Sequence, residues 1–312
     1  MLERQPLFAQ YRFASGRTPY SLSQWRNFGT GFPAVSLVIP TRRSTLPGLQ
    51  STYVERLLRA IAAADWPMDR LTVIVGDDIV GEPAWAKRAW PFALRRIETL
   101  RGEDEPFNYA AKMNQLWRAA ETEQIVLMND DLLPAEPSWL KALVGFAMDE
   151  SVGGVGGRLL YADGRLQHAG IGPLFGAIAH AWAGRAKAGG TYQDWALIQR
   201  EWSMVTGALF ATRRSLLEEI DGFDEQFTLE YNDVDMCLRL RALGYRIICT
   251  PEAEMVHAEK ASRGDMPAAG DQYALFHQRW IRWLNEDPSW HPRLRRESFE
   301  MMPVDDPGAW YR

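Results

Sequence analysis

Gln124-Ile125-Val126-Leu127-Met128 runs directly into Asn129-Asp130-Asp131, and the chain turns soon after at Pro134. A short apolar run bounded by polar residues and proline reads as a buried β-strand. Packing gives no reason for such a strand to end in two adjacent carboxylates. Hard oxygen donors of this kind suit a divalent cation, Mg²⁺ or Mn²⁺, with water or phosphate filling its remaining positions. In open α/β sheets, ligands bind outside the carboxyl ends of the strands. Carboxylates in a turn also serve as solvated or capping groups, and the stretch alone leaves that alternative open.

The same pattern recurs on the amino-terminal side. Ala34-Val35-Ser36-Leu37-Val38-Ile39 is an apolar run stopped by Pro40, and Leu71-Thr72-Val73-Ile74-Val75 runs into Gly76-Asp77-Asp78. Between them, Val54, Leu57, Leu58 and Ile61 recur at helical spacing within residues 52–64. Residues 109–120 and 139–148 also read as helices. Strands alternating with helices predict βαβ units with right-handed crossovers. The fold class is therefore α/β, a Rossmann-like, mixed but mostly parallel central sheet flanked by helices. Parallel strands point their carboxyl ends one way, so the two Asp-Asp pairs are expected at one crevice.

The second half is less regular. Residues 152–161 read as a strand rich in glycine, without the strand–GxGxxG–helix order of a dinucleotide site, so close backbone packing is expected there. Residues 162–201 have little period and read as binding loops. Further on, the pattern predicts strands at 206–210 and 245–250, helices at 213–220 and 233–243, and a mobile loop at 258–270. Tyr273, Phe276, Trp280, Trp283 and Leu284 form a helical stripe. The expected organisation is an N-terminal extension (1–33), one domain (34–290) and a C-terminal tail (291–312). Within the domain, residues 34–135 form one half and 136–290, with the C-terminal helix, a second.

Bulk numbers bound the class. Of 312 residues, 46% are hydrophobic and 24% charged, as in a soluble chain with a real core. The net charge of −5 argues against broad nucleic-acid binding but allows a local basic pocket. Cys237 and Cys249 are in no metal-spaced cluster and read as reduced core thiols, which fits a cytosolic protein. Met1-Leu2-Glu3-Arg4-Gln5-Pro6 has no apolar signal core, and no apolar run reaches membrane-spanning length. The 13 tryptophans suit cores and sugar or membrane surfaces alike, so a peripheral membrane contact stays open.

Three further groups can carry chemistry. Asp233 and Asp235 lie at the start of a helix, where carboxylates either cap it or, in a cleft, act as a general base. His257 follows the apolar stretch 253–256 and is either a hydrogen-bonded structural residue or a nitrogen ligand beside a carboxylate. Lys260 and Arg263 are either solvated or a clamp on phosphate oxygens. His168 and His180 fall in the irregular segment and lean towards the acceptor side.

Taken in order, these stretches resemble the inverting glycosyltransferases of family two, which have the GT-A fold. Val35 to Thr41 matches the opening strand, Val73 to Asp78 the nucleoside-binding strand, and Asn129-Asp130-Asp131 the D-x-D-type motif. Thr206-Gly207-Ala208, Gly222-Phe223-Asp224-Glu225 and Asn232-Asp233-Val234-Asp235 match the acceptor side and the acidic helix. Pro106-Phe107-Asn108-Tyr109 and Leu166-Gln167-His168-Ala169-Gly170 are similar to the bacterial polysaccharide and rhamnosyl-type branch.

The resemblance assigns nucleotide binding to the half at 34–135 and acceptor binding to the half at 136–290. It implies that Asp233 is the catalytic base and that Asp131 and His257 bind Mn²⁺ or Mg²⁺. It implies further that Pro40, Thr41, Asp78, Asn114, Asp130 and Arg263 hold a UDP- or dTDP-linked sugar. The acceptor would be a glycan or lipid-linked glycan, met in the cytoplasm or at the inner face of the membrane, by a monomer or a homodimer. The match departs in two places. Asn232 stands where many relatives have Glu, and Thr41-Arg42-Arg43 replaces the commoner Thr-Tyr-Asn. A sugar nucleotidyltransferase fits less well, because no Gly-rich, Arg-containing loop follows the first strand. A non-catalytic glycan-binding scaffold would have no physical need for Asp131, Asp233 and His257 together.

Overall fold

The computed structural model describes residues 28, 31–45, 48, 51–99, 106–174, 177–258, 270–290 and 294–295. In chain order the elements are β1 (Val35–Thr41), α1 (Tyr53–Ile61), β2 (Leu71–Asp77), α2 (Ala84–Lys87), β3 (Ala93–Glu98), α3 (Tyr109–Arg118), β4 (Gln124–Met128), β5 (Leu132–Pro134), α4 (Trp139–Ala147), β6 (Val152–Leu160), β7 (Leu166–His168), β8 (Ile171–Leu174), β9 (Ala177–His180), β10 (Arg200–Trp202), β11 (Leu209–Arg213), α5 (Arg214–Glu219), α6 (Asn232–Ala242), β12 (Arg246–His257) and α7 (Gly270–Asn285).

Every residue of β1 and β4 is buried, because helices cover both faces of the sheet. Val35, Leu37 and Ile39 pack with α1 and α4, while Val38 turns to the opposite side and packs with α3. The stripe expected in α1 is buried as predicted, and Thr52 caps the helix by accepting from the Glu55 amide. Asn108 caps α3 in the same way through the Ala111 amide at 3.0 Å.

The sheet order is β10-β12-β6-β11-β4-β1-β2-β3, with β5 on β12 and β7 on β6. β3-β2-β1-β4 are parallel throughout, as in doubly wound folds. β11 enters antiparallel between β4 and β6. Its first end therefore lies beside the carboxyl end of β4, where the Asn129 amide bonds the Ala208 carbonyl at 2.9 Å. The glycine-rich β6 packs closely, as expected. A Cβ on Gly154 would meet the Phe210 ring at 2.0 Å, and one on Gly157 the Ala253 carbonyl at 2.4 Å.

β12 has two parts. Through Thr250 it runs parallel to β6, and after an irregularity its last residues also pair antiparallel with β5. His257 pairs with Leu132, the residue after Asp131. This added pairing with β5 brings the histidine beside the Asp-Asp pair.

Three sequence expectations change. The strand expected at 206–210 begins only at Leu209, because the Gly207 and Ala208 amides bond the side chains of Asp233 and Thr206 instead of a ladder. The strand expected to stop at Thr250 continues to His257. The irregular segment 162–201 contains β7, the β8–β9 hairpin and β10. In the N-terminal extension, Phe28 and Phe32 stack at 4.8 Å and both meet the edge of Trp66. The expected mobile loop lies outside the described residues apart from Ala258 and Gly270, as do most of residues 1–33 and of the tail.

Candidate active site

The carboxyl ends of β1 and β4 open into a cleft of about 590 Å³, closed on the far side by the start of α6 and by β9. Pro40, Thr41, Asp130, Asp131, Asp233 and His257 all line it. At its base the Thr41 hydroxyl donates to Asp130 Oδ2 at 2.5 Å. Burial pushes the Asp130 carboxyl up to about 7. The Thr41 hydrogen bond opposes that rise, and the charge of Asp131 adds to it.

The other Asp pair divides its labour. Asp77 is fully buried and accepts from Arg43 Nη2 at 2.6 Å and Arg96 Nε at 2.7 Å. Burial alone would raise its carboxyl, but these hydrogen bonds outweigh burial and hold it below the usual carboxylate range. Asp78 Oδ1 accepts from Thr99 Oγ1 and Lys112 Nζ, each at 2.7 Å, while its Oδ2 is buried without a hydrogen-bond partner among the described residues. Lys112 also donates to the Thr41 carbonyl at 3.1 Å and lines the cleft, so it joins Asp78 to the site. The sequence reading missed Lys112. The available signal was a lysine on the buried face of α3.

Asn114 is not part of the cleft. Its amide bonds the Phe223 carbonyl at 2.8 Å and Glu225 at 2.9 Å, and its oxygen accepts from the Phe223 amide and Trp117 Nε1. The structure therefore places Asn114, expected as a donor contact, against the 222–225 loop and Trp117 and not among the residues that line the cleft. Lys260 and Arg263 lie outside the described residues.

Asp131 Oδ1 lies 3.2 Å from His257 Nε2 and is buried without a hydrogen-bond donor among the described residues. Two cis ligands of an octahedral ion, each at about 2.1 Å, lie about 3 Å apart. The pair therefore fits a shared Mn²⁺ or Mg²⁺. Among the described residues no group of three or more His, Cys, Asp or Glu side chains surrounds one point. Diphosphate and water would complete the shell, as is usual for such ions on phosphorylated substrates. Tyr109 Oη donates to Asn129 Oδ1 at 3.1 Å, holding the neighbouring amide beside the His257 ring.

Asp233 faces the pair across the cleft from the first turn of α6, which starts after Tyr231 in the left-handed region at φ 63°. Its Oδ2 accepts from the Gly207 amide at 2.7 Å and its Oδ1 from the Val234 amide at 2.8 Å. Asp235 points the other way. It is fully buried and bonded to Arg239, Arg279 and Trp280. Of the two carboxylates, Asp233 is thus a cleft group and Asp235 a structural anchor. Asn232 bonds the Leu229 carbonyl at 2.9 Å.

Beyond Asp233 the cleft is walled by Tyr161, Ile171, Ile178 and His180. His180 reaches it. His168 does not: it is fully buried, and burial, then the proximity of His180 and His257, holds its imidazole well below the usual range. Asp131, His257 and Asp233 thus line one cleft together with Tyr161 and His180.

Known proteins are similar to this chain. The family model described as glycosyltransferase like family 2 matches residues 33–283. An uncharacterized protein, y4gI, of Sinorhizobium fredii is 32% identical over 293 residues, covering 90% of this chain and 31% of its own length. The O-antigen biosynthesis protein RfbC of Myxococcus xanthus is 32% identical over 271 residues, covering 85% of this chain and 20% of its own length. The chain thus spans only a third or less of either relative. The mannosyltransferase PcManGT of Pyrobaculum calidifontis, solved with GDP-Man and Mn²⁺, superposes with a TM-score of 0.52 at 20% identity. That likeness of fold covers 80% of this chain and 70% of the other.

Proposed function

Because the chain belongs to glycosyltransferase family 2, we propose that it moves a sugar from a nucleotide diphosphate to an acceptor hydroxyl, with inversion and with the help of Mn²⁺ or Mg²⁺. The observation that carries this reading is the pairing of Asp131 with His257 opposite Asp233 in one cleft. The relative named for O-antigen biosynthesis supports a polysaccharide or lipid-linked glycan acceptor. The donor is a UDP- or dTDP-linked sugar. The buried thiols of Cys237 and Cys249 fit a reducing compartment, which supports a cytoplasmic setting at or near the membrane. Among the described residues no helix is long and apolar enough to cross a membrane.

In this mechanism Thr41, Asp78, Lys112 and Asp130 hold the nucleotide. Asp233 takes the acceptor's proton as that oxygen attacks the anomeric carbon, the new C–O bond forming as the bond to the diphosphate breaks. The bound cation supplies Lewis-acid neutralisation of the leaving charge. One displacement leaves the anomeric centre inverted. Asp233→Asn is expected to lower kcat by about 10²–10⁴-fold while nucleotide affinity, read by calorimetry, stays at the wild-type value. Near-normal turnover in that variant would remove Asp233 from the base role.

A further inference from the structure

Gln167 is a cleft residue that the mechanism above does not use. It is buried, with 5% exposure. It sits where β7 loses register against β6: His168 faces Leu159 and Leu166 faces Leu160, which leaves Gln167 bulged between them. Bulges beside active sites commonly re-aim a side chain. This one aims the amide at His257, whose neighbour Val256 pairs with Leu160 from the other side of β6. Gln167 Oε1 lies 2.7 Å from His257 Nδ1, and Gln167 Nε2 lies 3.5 Å from the His257 carbonyl oxygen.

These two contacts settle the orientation of the amide. A backbone carbonyl only accepts, so the NH₂ group must face it. The amide oxygen then faces Nδ1, and since that oxygen also only accepts, Nδ1 carries the proton. In the neutral ring Nε2 keeps a lone pair, which the Asn129 amide approaches at 3.5 Å as a donor. Nε2 lies 3.2 Å from Asp131 Oδ1, an oxygen with no hydrogen-bond donor among the described residues. Two lone-pair donors at that separation suit a cation. In the opposite tautomer, Nε2–H would bond Asp131 and occupy both ligands at once.

Resting on the metal reading above, we infer that Gln167 is a positioning residue: through the bond from His257 Nδ1 to its side-chain oxygen, it holds His257 in the tautomer that presents Nε2 to the cation. Outer partners of metal-bound histidines typically change metal affinity by about 10–100-fold when removed. Gln167→Leu keeps the bulk and removes the acceptor, whereas Gln167→Glu keeps an acceptor at the same reach.

The test combines Mn²⁺ binding, followed by the EPR signal of free Mn²⁺ with and without UDP, and ¹⁵N NMR of the His257 ring in the metal-free full chain at a pH well above the imidazole range. Wild type and Q167E are expected to show the Nδ1–H tautomer and comparable Mn²⁺ affinity. Q167L is expected to move to Nε2–H and to bind Mn²⁺ about 10–100-fold more weakly, at an unchanged stoichiometry. Gln167→Met replaces the Leu variant if that one does not fold. A wild-type tautomer and wild-type affinity in Q167L, with affinity lost in His257→Ala, would overturn the role of Gln167 and leave the metal reading standing. Undiminished affinity in His257→Ala would overturn both.

Discussion

Gly207 is the residue on which the position of Asp233 depends. Its amide bonds Asp233 Oδ2, and a Cβ added to it would meet the Asp233 Cβ at 2.8 Å. Contacts under 3.0 Å force a shift. Gly207→Ala should therefore displace the carboxylate and lower kcat by about 10²-fold, with little change in donor KM or melting temperature. Steady-state kinetics beside a thermal melt would check this, and an unchanged kcat would refute it. At this scale the sequence was legible where a side chain acts directly. Asp131, His257 and Asp233 are carboxylates and an imidazole at strand and helix ends, and the structure brings them to one cleft. Gln167 and Lys112 were not legible, since each acts through a partner far away in the chain. Asn114 lies away from the cleft lining because the 222–225 loop occupies an amide whose chemistry suits a nucleotide as well.

β2 ends in an anchor as well as a site residue. Asp77 ties the loop after β2 to Arg43 of the first strand's exit and to Arg96 of β3. Removing one partner of a buried ion pair costs about 3 kcal/mol or more. Asp77→Asn should destabilise the protein by about 3 kcal/mol at neutral pH. The folded-state carboxyl titrates below its ordinary value of 3.8, so the ionised form stabilises the fold above that range. The contribution fades as pH falls through the lower folded value. The gap between wild type and Asp77→Asn in urea unfolding should thus narrow below about pH 4, and a constant gap would contradict this. Elements buried on both faces were the legible ones, because β1, β2 and β4 are nearly continuous apolar runs. β3 was not seen: it is an edge strand whose Arg95, Arg96 and Glu98 face solvent or salt bridges. The start of β11 was misplaced because side chains claim the amides of residues 207 and 208.

For the whole molecule, nucleotide binding should join the ends of β1, β2 and β4 and raise stability. At a hundred times Kd the gain is about 2.7 kcal/mol. UDP or dTDP with Mn²⁺ should raise the melting temperature more than either component alone, and EDTA should reverse the extra shift. An equal shift with nucleotide alone would count against a shared cation. The added pairing of β12 with β5 has a consequence for biosynthesis. Asn129 and His257, which meet beside Asp131, are 128 positions apart in the chain. Contacts of such sequence separation form late, after the loop-closure cost of the intervening chain has been met. If Asp131 and His257 hold a cation as proposed, a ribosome that has made β1, β2 and β4 has built only the carboxylate side of that pair. Metal loading would then await β12 and its pairing with β5, so that loading and completion of the sheet would be one event.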